Sequence, residues 1–293
     1  MRRALFLAGA ILLATSLGAA QAQNERLVPA LGALERGDIT QAIDSLKPLA
    51  ATGDLEAQYT LATVLENAPP PLRDLEGARQ WYLRAAESGH AGAQNNLGAM
   101  HFDGRGALKD YVAAVQWYRQ AADQGNPIAQ TNLALMYGMG LGIEPNEAEM
   151  VKLLQAAAQA GIARAQAQLA RLYLDGEGVP QNASEAIRLF RLAAAQDHED
   201  AQFFLAVLLQ KGIGTPRDFE AAHAWFLRAA ERGHRLAMLE VAKTYELGLG
   251  VAADPAQAKT WRERAQAKPE PAAHKAPGDS RGEQRAEPGR SRP

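Results

Sequence analysis

One position in this sequence recurs every 36 residues, and this spacing constrains the fold more than any other feature of the chain. Glycine occupies the position in five of its six copies, and aspartate occupies it in the remaining one. The series is Gly53, Gly89, Gly125, Gly161, Asp197 and Gly233. Self-similarity at a period of about 20 to 50 residues is typical of repeat proteins, in which each copy packs on its neighbours. The sequence therefore predicts a repeat array over most of the chain.

Other residues recur in step with this glycine. An Ala-Gln pair begins four residues after it in five copies, as at Ala57-Gln58, and Ala237-Met238 replaces the pair in the sixth. A Gly-x-Gly motif follows in the next five copies, at Gly104/Gly106, Gly140/Gly142, Gly176/Gly178, Gly212/Gly214 and Gly248/Gly250. The first copy has Ala68 and three prolines there instead, which predicts a stiffer turn.

Each copy is predicted to form two helices joined by a turn. Ala129, Leu133, Met136 and Tyr137 are spaced by three and four residues, so they fall on one stripe of a first helix. The glycine pair ends this helix, and a second helix begins at an Asp or Asn that can cap free N–H groups. The predicted caps are Asp110, Asn146, Asn182, Asp218 and Asp254. The recurrent glycine then ends the second helix in a left-handed conformation.

The combined pattern A-Q-x-x-L-(G/A)-x-(M/L)-Y, G-x-G, (D/N), A-x-x-W-(Y/F), A-A and G resembles the Sel1-like repeat. This repeat belongs with the tetratricopeptide-type α/α repeats. The resemblance implies an all-α fold, a right-handed α/α solenoid of about six Sel1-like hairpins in residues 54–268. Residues 23–53 then correspond to a degenerate helical hairpin that caps the N-terminal end of the array.

The two ends of the chain differ from the repeats. Arg2 and Arg3 precede an apolar run from Leu5 to Leu17, and the small-x-small motif Ala20-Gln21-Ala22 follows, as in a secretory signal peptide. We predict cleavage after Ala22 and a periplasmic or secreted protein without stable membrane insertion. An uncleaved anchor is the alternative, although the apolar run is short for a membrane span. Residues 269–293 hold hardly any large apolar side chain, which predicts a disordered tail.

Composition argues against several classes of function. The chain has no cysteine, which excludes disulfides, thiolate metal sites and cysteine catalysis. Its formal net charge is −2 and its positive charges are spread along the chain, so no surface for nucleic acid is predicted. The resemblance to exported Sel1-like proteins implies that the partner is another protein, of the cell envelope.

The sequence predicts no catalytic residue, no cofactor and no metal site. The Gly-x-Gly motifs lack the third glycine or the lysine of a phosphate-binding loop. His90, His198 and His234 occupy one repeat position and lie at least a repeat apart, which does not fit a zinc site. Asn182 begins a glycosylation-type triplet, but the capping role is favoured. A pair of carboxylates assembled across repeats stays open, and some cysteine-rich Sel1-like proteins imply a β-lactamase-type hydrolase as an alternative.

By analogy with tetratricopeptide-type repeats, the partner is expected on a concave surface lined by first helices. The candidate partner-binding residues are Asn96, Asn132, Met139, Gln168, Arg171, Phe203, Phe204, Lys211, Glu240 and Lys243. Phe203 and Phe204 stand where other copies have smaller or polar residues, so an exposed pair of rings could form a binding hot spot. The alternative is that these rings pack against a neighbouring helix or the tail.

The function predicted from sequence is therefore a non-catalytic protein-protein interaction scaffold or adaptor of the bacterial cell envelope. A periplasmic regulator of a membrane signalling receptor and a protein that contacts a host are the alternatives.

Overall fold

A computed structural model describes residues 25–267. The predicted signal peptide, residues 1–22, and the predicted tail, residues 269–293, lie outside the described residues. Within residues 25–267 the chain forms fourteen helices and no strand, in agreement with the all-α prediction. These helices belong to two compact units, which divide after Asn126.

The first unit, residues 25–126, contains three helical hairpins. Its helices are α1 (25–35), α2 (Ile39–Ala51), α3 (Leu55–Asn67), α4 (Leu75–Glu87), α5 (Ala91–Asp103) and α6 (Tyr111–Asp123). Tyr82, Leu61 and Leu97 are fully or almost fully buried in its core. Ala85 and Ala86 are buried too, and their small side chains let α4 approach its neighbours closely.

The second unit, residues 127–267, contains four hairpins. Its helices are α7 (Pro127–Met139), α8 (Glu147–Gln159), α9 (Ala163–Asp175), α10 (Ala183–Ala195), α11 (Glu199–Lys211), α12 (Phe219–Glu231), α13 (Arg235–Leu247) and α14 (Pro255–Gln266). Phe190 and Phe226 are fully buried in its core, and burial of such a ring contributes about 1.5 to 3 kcal/mol. No helix within residues 25–267 has both the length and the apolarity needed to cross a membrane.

The predicted caps of the second helices are confirmed. Asp110 Oδ1 accepts a hydrogen bond from the backbone N–H of Ala113 at 2.9 Å, and Asn182 Oδ1 accepts one from Glu185 at 3.1 Å. Asn146, Asp218 and Asp254 cap α8, α12 and α14 in the same way. The side chain of Asn182 therefore acts as the N-terminal cap of α10, as the sequence predicted.

The predicted left-handed positions are also confirmed. Gly89, Gly125, Gly161 and Gly233 have φ between 82° and 104°, and Asp197 has φ 64°. The second glycine of the Gly-x-Gly motif has a further reason to lack a side chain. A Cβ on Gly250 would lie 2.0 Å from the carbonyl oxygen of Phe219 at the start of α12. This glycine therefore allows the turn to contact the second helix of the preceding hairpin.

The recurrent glutamine joins consecutive hairpins. The Nε2 atoms of Gln58 and Gln94 in the first unit donate to the carbonyl oxygens of Ala50 and Ala86, at 3.1 and 3.0 Å. In the second unit Gln166 and Gln202 form the equivalent bonds to Ala158 and Ala194, each at 3.2 Å. All four glutamines are buried. The first helices α3, α5, α9 and α11 are thus each hydrogen-bonded through a side chain to the end of the second helix before them.

Candidate functional site: two clefts on the first helices

Two neighbouring clefts lie on the first helices of the second unit. The α7–α9 cleft has a volume of about 310 Å³ and includes Leu135 and Met150 in its lining. The α9–α11 cleft has a volume of about 300 Å³ and includes Phe190 and Phe204. Gln168 and Arg171 of α9 line both. Two residues of one helix therefore form a ridge between the clefts, and a bound chain could contact both sides of it.

The α9–α11 cleft combines an aromatic floor with charged groups. Phe204 stacks on the buried ring of Phe190, with centroids 5.6 Å apart. The guanidinium of the exposed Arg171 lies 5.8 Å from the centre of the Phe204 ring, within the range of a cation–π contact. A planar cation beside a ring can hold a carboxylate or a peptide group of a partner.

Asp200 and His198 line the same cleft. The hydrogen bond with His234 holds the pKa of the Asp200 carboxyl below its usual range, so Asp200 is an anion near neutral pH. His198 caps α11, because its Nδ1 accepts the backbone N–H of Ala201 at 3.3 Å, and burial lowers the pKa of its imidazole. Because Nδ1 of His198 accepts the capping hydrogen bond, this histidine has a structural role at the start of α11. The groups of this cleft are suited to recognition by charge and stacking.

The α7–α9 cleft is mainly apolar. Aliphatic surface comes from Leu135, Met150, Leu154 and Leu172, and Asp175 and Glu177 add carboxylates to the lining. Among residues 25–267 neither carboxylate forms an ion pair. An apolar pocket with convergent charges at its edge is typical of a site for a side chain of a ligand.

Three of the residues proposed from the sequence meet in this region. Gln168, Arg171 and Phe204 line the α9–α11 cleft together. Asn132, Met139 and Lys211 lie on α7 and α11 but line neither cleft, and Met139 is 64 % exposed. Glu240 and Lys243 lie on α13, where their side chains pair at 3.7 Å. The predicted partner-binding residues that line one cleft together therefore lie on α9 and α11.

Asn96 lies in the first unit, where it belongs to a polar network. Its Nδ2 donates to the hydroxyl of Tyr82 at 3.1 Å, and that hydroxyl donates to Glu66 Oε2 at 2.9 Å. Glu66 also pairs with Arg105. Burial is the main reason that the pKa of Tyr82 is raised, and the hydroxyl stays protonated. The side chain of Asn96 is therefore already engaged by the core of its own unit.

Of the two alternatives for Phe203 and Phe204, packing against neighbouring helices describes these rings, and their role in partner binding stays a prediction. Both are half-buried. Phe203 stacks on His234 with centroids 4.6 Å apart and lies 5.7 Å from the ring of Phe226, and Phe204 packs on Phe190. The physical reason is that Phe190 of α10, Phe226 of α12 and His234, the cap of α13, supply aromatic partners, and contact with these rings removes apolar surface from water. Only Phe204 also contributes to a cleft.

Sequence reasoning missed Met150, Gly138 and Leu154 as cleft residues, although a signal for them is present. The position of Met150 is alanine in every other hairpin, at Ala42, Ala78, Ala114, Ala186, Ala222 and Ala258. Comparison of residue size across the copies would have identified this departure. Among residues 25–267 no group of three or more His, Asp and Glu side chains is placed to hold a metal ion.

Comparison with known proteins gives one family match and several similar structures. The model of the Sel1 repeat matches residues 55–90, 91–126, 127–162, 163–198, 199–234 and 235–265. These six consecutive matches confirm the predicted all-α solenoid of six repeats. No protein with a curated description matches the chain significantly.

Two crystal structures are similar in both fold and sequence. A Sel1 repeat protein from Oxalobacter formigenes is 31% identical, with a TM-score of 0.74, and the match covers 84% of this chain and 98% of that one. The protective antigen c5321, present in uropathogenic Escherichia coli strains and displaying an SLR fold, is 32% identical with a TM-score of 0.71. That match covers 76% of this chain and 48% of the antigen, so the chain spans about half of the antigen's length.

Proposed function

The chain belongs to the Sel1 repeat family, and from this membership we propose that it is a non-catalytic scaffold or adaptor of the bacterial cell envelope that binds a partner protein on α7, α9 and α11. Sel1 repeat proteins are generally protein-interaction scaffolds built from helical repeats. Such repeats present the surfaces of successive first helices side by side, which gives an extended binding surface.

The observation that carries this proposal is the position of Arg171 between two clefts. Its guanidinium is exposed and forms no ion pair within residues 25–267, and it lies beside the ring of Phe204. Arginine and aromatic side chains at the centre of a surface are the groups that most often dominate the energy of a protein interface. We infer that Arg171 is a main contact for the partner.

Charge reversal at two matched positions tests the proposal. Arg171→Glu changes the ridge between the clefts, whereas Arg191→Glu changes an exposed arginine of α10 that lines neither cleft. Each variant is used as bait for cross-linked affinity capture from envelope extract, followed by mass spectrometry. We expect one partner that is retained by the wild type and by Arg191→Glu and is lost with Arg171→Glu. Retention by all three proteins would contradict the proposed surface.

The envelope location rests on the signal-peptide pattern of residues 1–22. N-terminal sequencing of the protein purified from its native cell tests this part. A mature chain that begins at Gln23, recovered with the periplasmic or extracellular fraction, is the expected result. A chain that retains Met1 and stays with the cytoplasmic fraction would contradict it.

The identity of the captured partner distinguishes a scaffold from a regulator. If the partner is a membrane receptor and its signalling is altered in the Arg171→Glu strain, the protein is a regulator rather than a scaffold.

We propose contact with host molecules outside the producing cell as a second candidate function, suggested by the similarity to a protein described as a protective antigen. Labelling of intact cells with an antibody distinguishes the two. A surface-exposed or released protein fits a host contact, whereas labelling only after the outer barrier is opened fits an adaptor inside the envelope.

A further inference from the structure

Three residues of the third repeat differ in size from their counterparts in the other repeats. Gly138 on α7 stands where the other copies have Glu66, Phe102, Leu174, Gln210 and Glu246. Leu154 on α8 replaces the buried rings of Tyr82, Tyr118, Phe190 and Phe226. Both changes remove volume. Met150, also on α8, adds volume where the other hairpins have a buried alanine.

These three residues meet in the α7–α9 cleft. Met150 partly occupies the space that Gly138 leaves, because its Sδ would lie 2.8 Å from a Cβ added to that glycine. The replacement is incomplete, since a cleft of about 310 Å³ remains beside Met150 and Leu154. Gly138 is exposed and Met150 is half-buried, so the cleft opens to solvent. An unbranched methionine can change its rotamer at low cost, which makes this wall adaptable.

The charges around the cleft indicate what it would accept. Asp175 and Glu177 line this cleft without ion pairs among residues 25–267, and Arg171, one helical turn before Asp175 on α9, lines both clefts. A ligand with an apolar group in the cleft could pair a cation with the two carboxylates and an anion or a carbonyl with Arg171. A polypeptide segment carries all three kinds of group, and the ridge that both clefts share gives that segment a path toward the second cleft.

We propose that the α7–α9 cleft is a pocket for one aliphatic side chain of an extended segment of the partner protein, with a Lys or Arg of that segment at Asp175 and Glu177. This inference rests on the proposed function and makes it specific. Met150 adapts its position to the bound side chain, and Arg171 contacts the segment where it crosses the ridge. The third repeat thereby acts as the selective part of the surface.

A redesigned cleft wall tests this proposal. The double variant Gly138→Leu with Met150→Ala reproduces the pair Leu174 and Ala186 of the next repeat, so it replaces the gap at Gly138 and the adaptable Met150 wall with a packing pair that the fold already contains. A displayed library of random dodecapeptides is selected against the wild type. The affinity of each enriched peptide is then measured against the wild type, the double variant, Arg171→Glu and Arg191→Glu.

We expect enriched peptides to share one Leu, Ile or Met with a Lys or Arg nearby. The double variant should bind them about tenfold more weakly or worse, because burial of an aliphatic side chain is lost. Replacement of the aliphatic residue by Ala should weaken binding to the wild type by a similar factor and have little further effect on the double variant. This non-additivity assigns the side chain to the cleft.

Three outcomes would overturn the proposal: no enriched peptide, enriched peptides without the shared residue, or equal affinity for the double variant. Peptides that lose affinity with Arg171→Glu and keep it with the double variant would reject this pocket while the proposed binding surface stands. If the double variant does not fold, the ε-methyl NMR signal of Met150 in the wild type replaces it as the readout. That signal should shift and saturate with an enriched peptide and stay unchanged with its Ala version, and the same response to both would count against the pocket.

Discussion

The imidazole of His234 stacks on the ring of Phe203 with the two centroids 4.6 Å apart, and this contact joins α13 to α11. The same histidine caps α13 through Nδ1, which accepts the N–H of Ala237 at 3.1 Å, and its Nε2 lies 3.3 Å from Asp200. In the first unit His90 makes the equivalent contacts, with Tyr59 at 4.5 Å and with Glu56 at 3.2 Å. Because Nδ1 accepts, Nε2 must carry the proton. These histidines therefore link consecutive first helices.

Stability should fall as the pH drops through the range in which histidine titrates. Burial lowers the pKa of His198, so the unfolded chain takes up the proton more readily than the folded one. The stability that neutral His198 contributes is fully present above the pKa of histidine in the unfolded chain, about 6.5, and is lost as the pH falls below that value. Burial lowers the pKa of His101 and His223 as well, which acts in the same direction. We expect a lower free energy of unfolding in urea at about pH 5.5 than at about pH 7.5.

The variant His198→Asn isolates the part of this pH dependence that belongs to the cap. Asparagine can accept the same backbone N–H without titrating, and Asn126 occupies the equivalent position before α7. The loss of stability between the two pH values should be smaller in this variant than in the wild type. Equal losses would show that protonation of His198 does not contribute.

Two equivalent glutamines should differ in their importance for stability. Gln166 donates to Ala158 and accepts from Gln196 Nε2 at 2.9 Å. Gln202 Nε2 donates to Ala194 at 3.2 Å and at the longer distance of 3.4 Å to Asp197 Oδ1, but its Oε1 is buried and has no hydrogen-bond partner among residues 25–267. Methionine, found at position 238, preserves the length of the side chain and removes its polar atoms. Gln166→Met should therefore cost about 1 kcal/mol more than Gln202→Met in urea unfolding. An equal cost, or the reverse order, would be inconsistent with this difference in bonding.

Alanine should be tolerated very differently at two glycines with positive φ. At Gly233, with φ 104°, no atom lies within 4 Å of an added Cβ, so the cost is backbone strain of about 1 to 2 kcal/mol. At Gly250, with φ 74°, the added Cβ also meets the carbonyl oxygen of Phe219 at 2.0 Å. Gly250→Ala should cost about 1 to 3 kcal/mol more than Gly233→Ala. Thermal unfolding of both variants measures this difference, and similar melting temperatures would refute the role assigned to the close approach.

Removal of the Tyr82 hydroxyl should destabilise the first unit. That hydroxyl contacts Thr63 Oγ1 at 3.0 Å as well as Glu66 and Asn96, and all three lose a partner in Tyr82→Phe. Since Glu66 keeps its pairing with Arg105, we expect a cost of about 1 to 2 kcal/mol. Tyr245→Phe is the control, because its ring contacts His223 while its hydroxyl has no hydrogen bond in the described chain, and it should change stability by less than about 0.5 kcal/mol. Urea unfolding followed by circular dichroism compares the two, and equal effects would argue against the network.

The sequence alone was sufficient for the repeat unit, the order of the helices and most of their ends. A cap such as Asp110 and a left-handed residue such as Gly89 act on groups within a few residues of themselves, so their roles can be inferred from local spacing. The helical period also places Arg171 and Gln168 beside the buried stripe, and both line the clefts, while their role in binding stays a prediction.

Tertiary packing decided the rest. Phe203 is half-buried because His234 and Phe226 come from other helices, and the capping role of His198 depends on the tautomer that its surroundings impose. The α7–α9 cleft exists because Gly138 and Leu154 each remove volume while Met150 only partly fills it. A periodic sequence determines which face of each helix is buried. Whether facing side chains fill the space between helices depends on the sum of their volumes, and that sum is set only when the helices pack together.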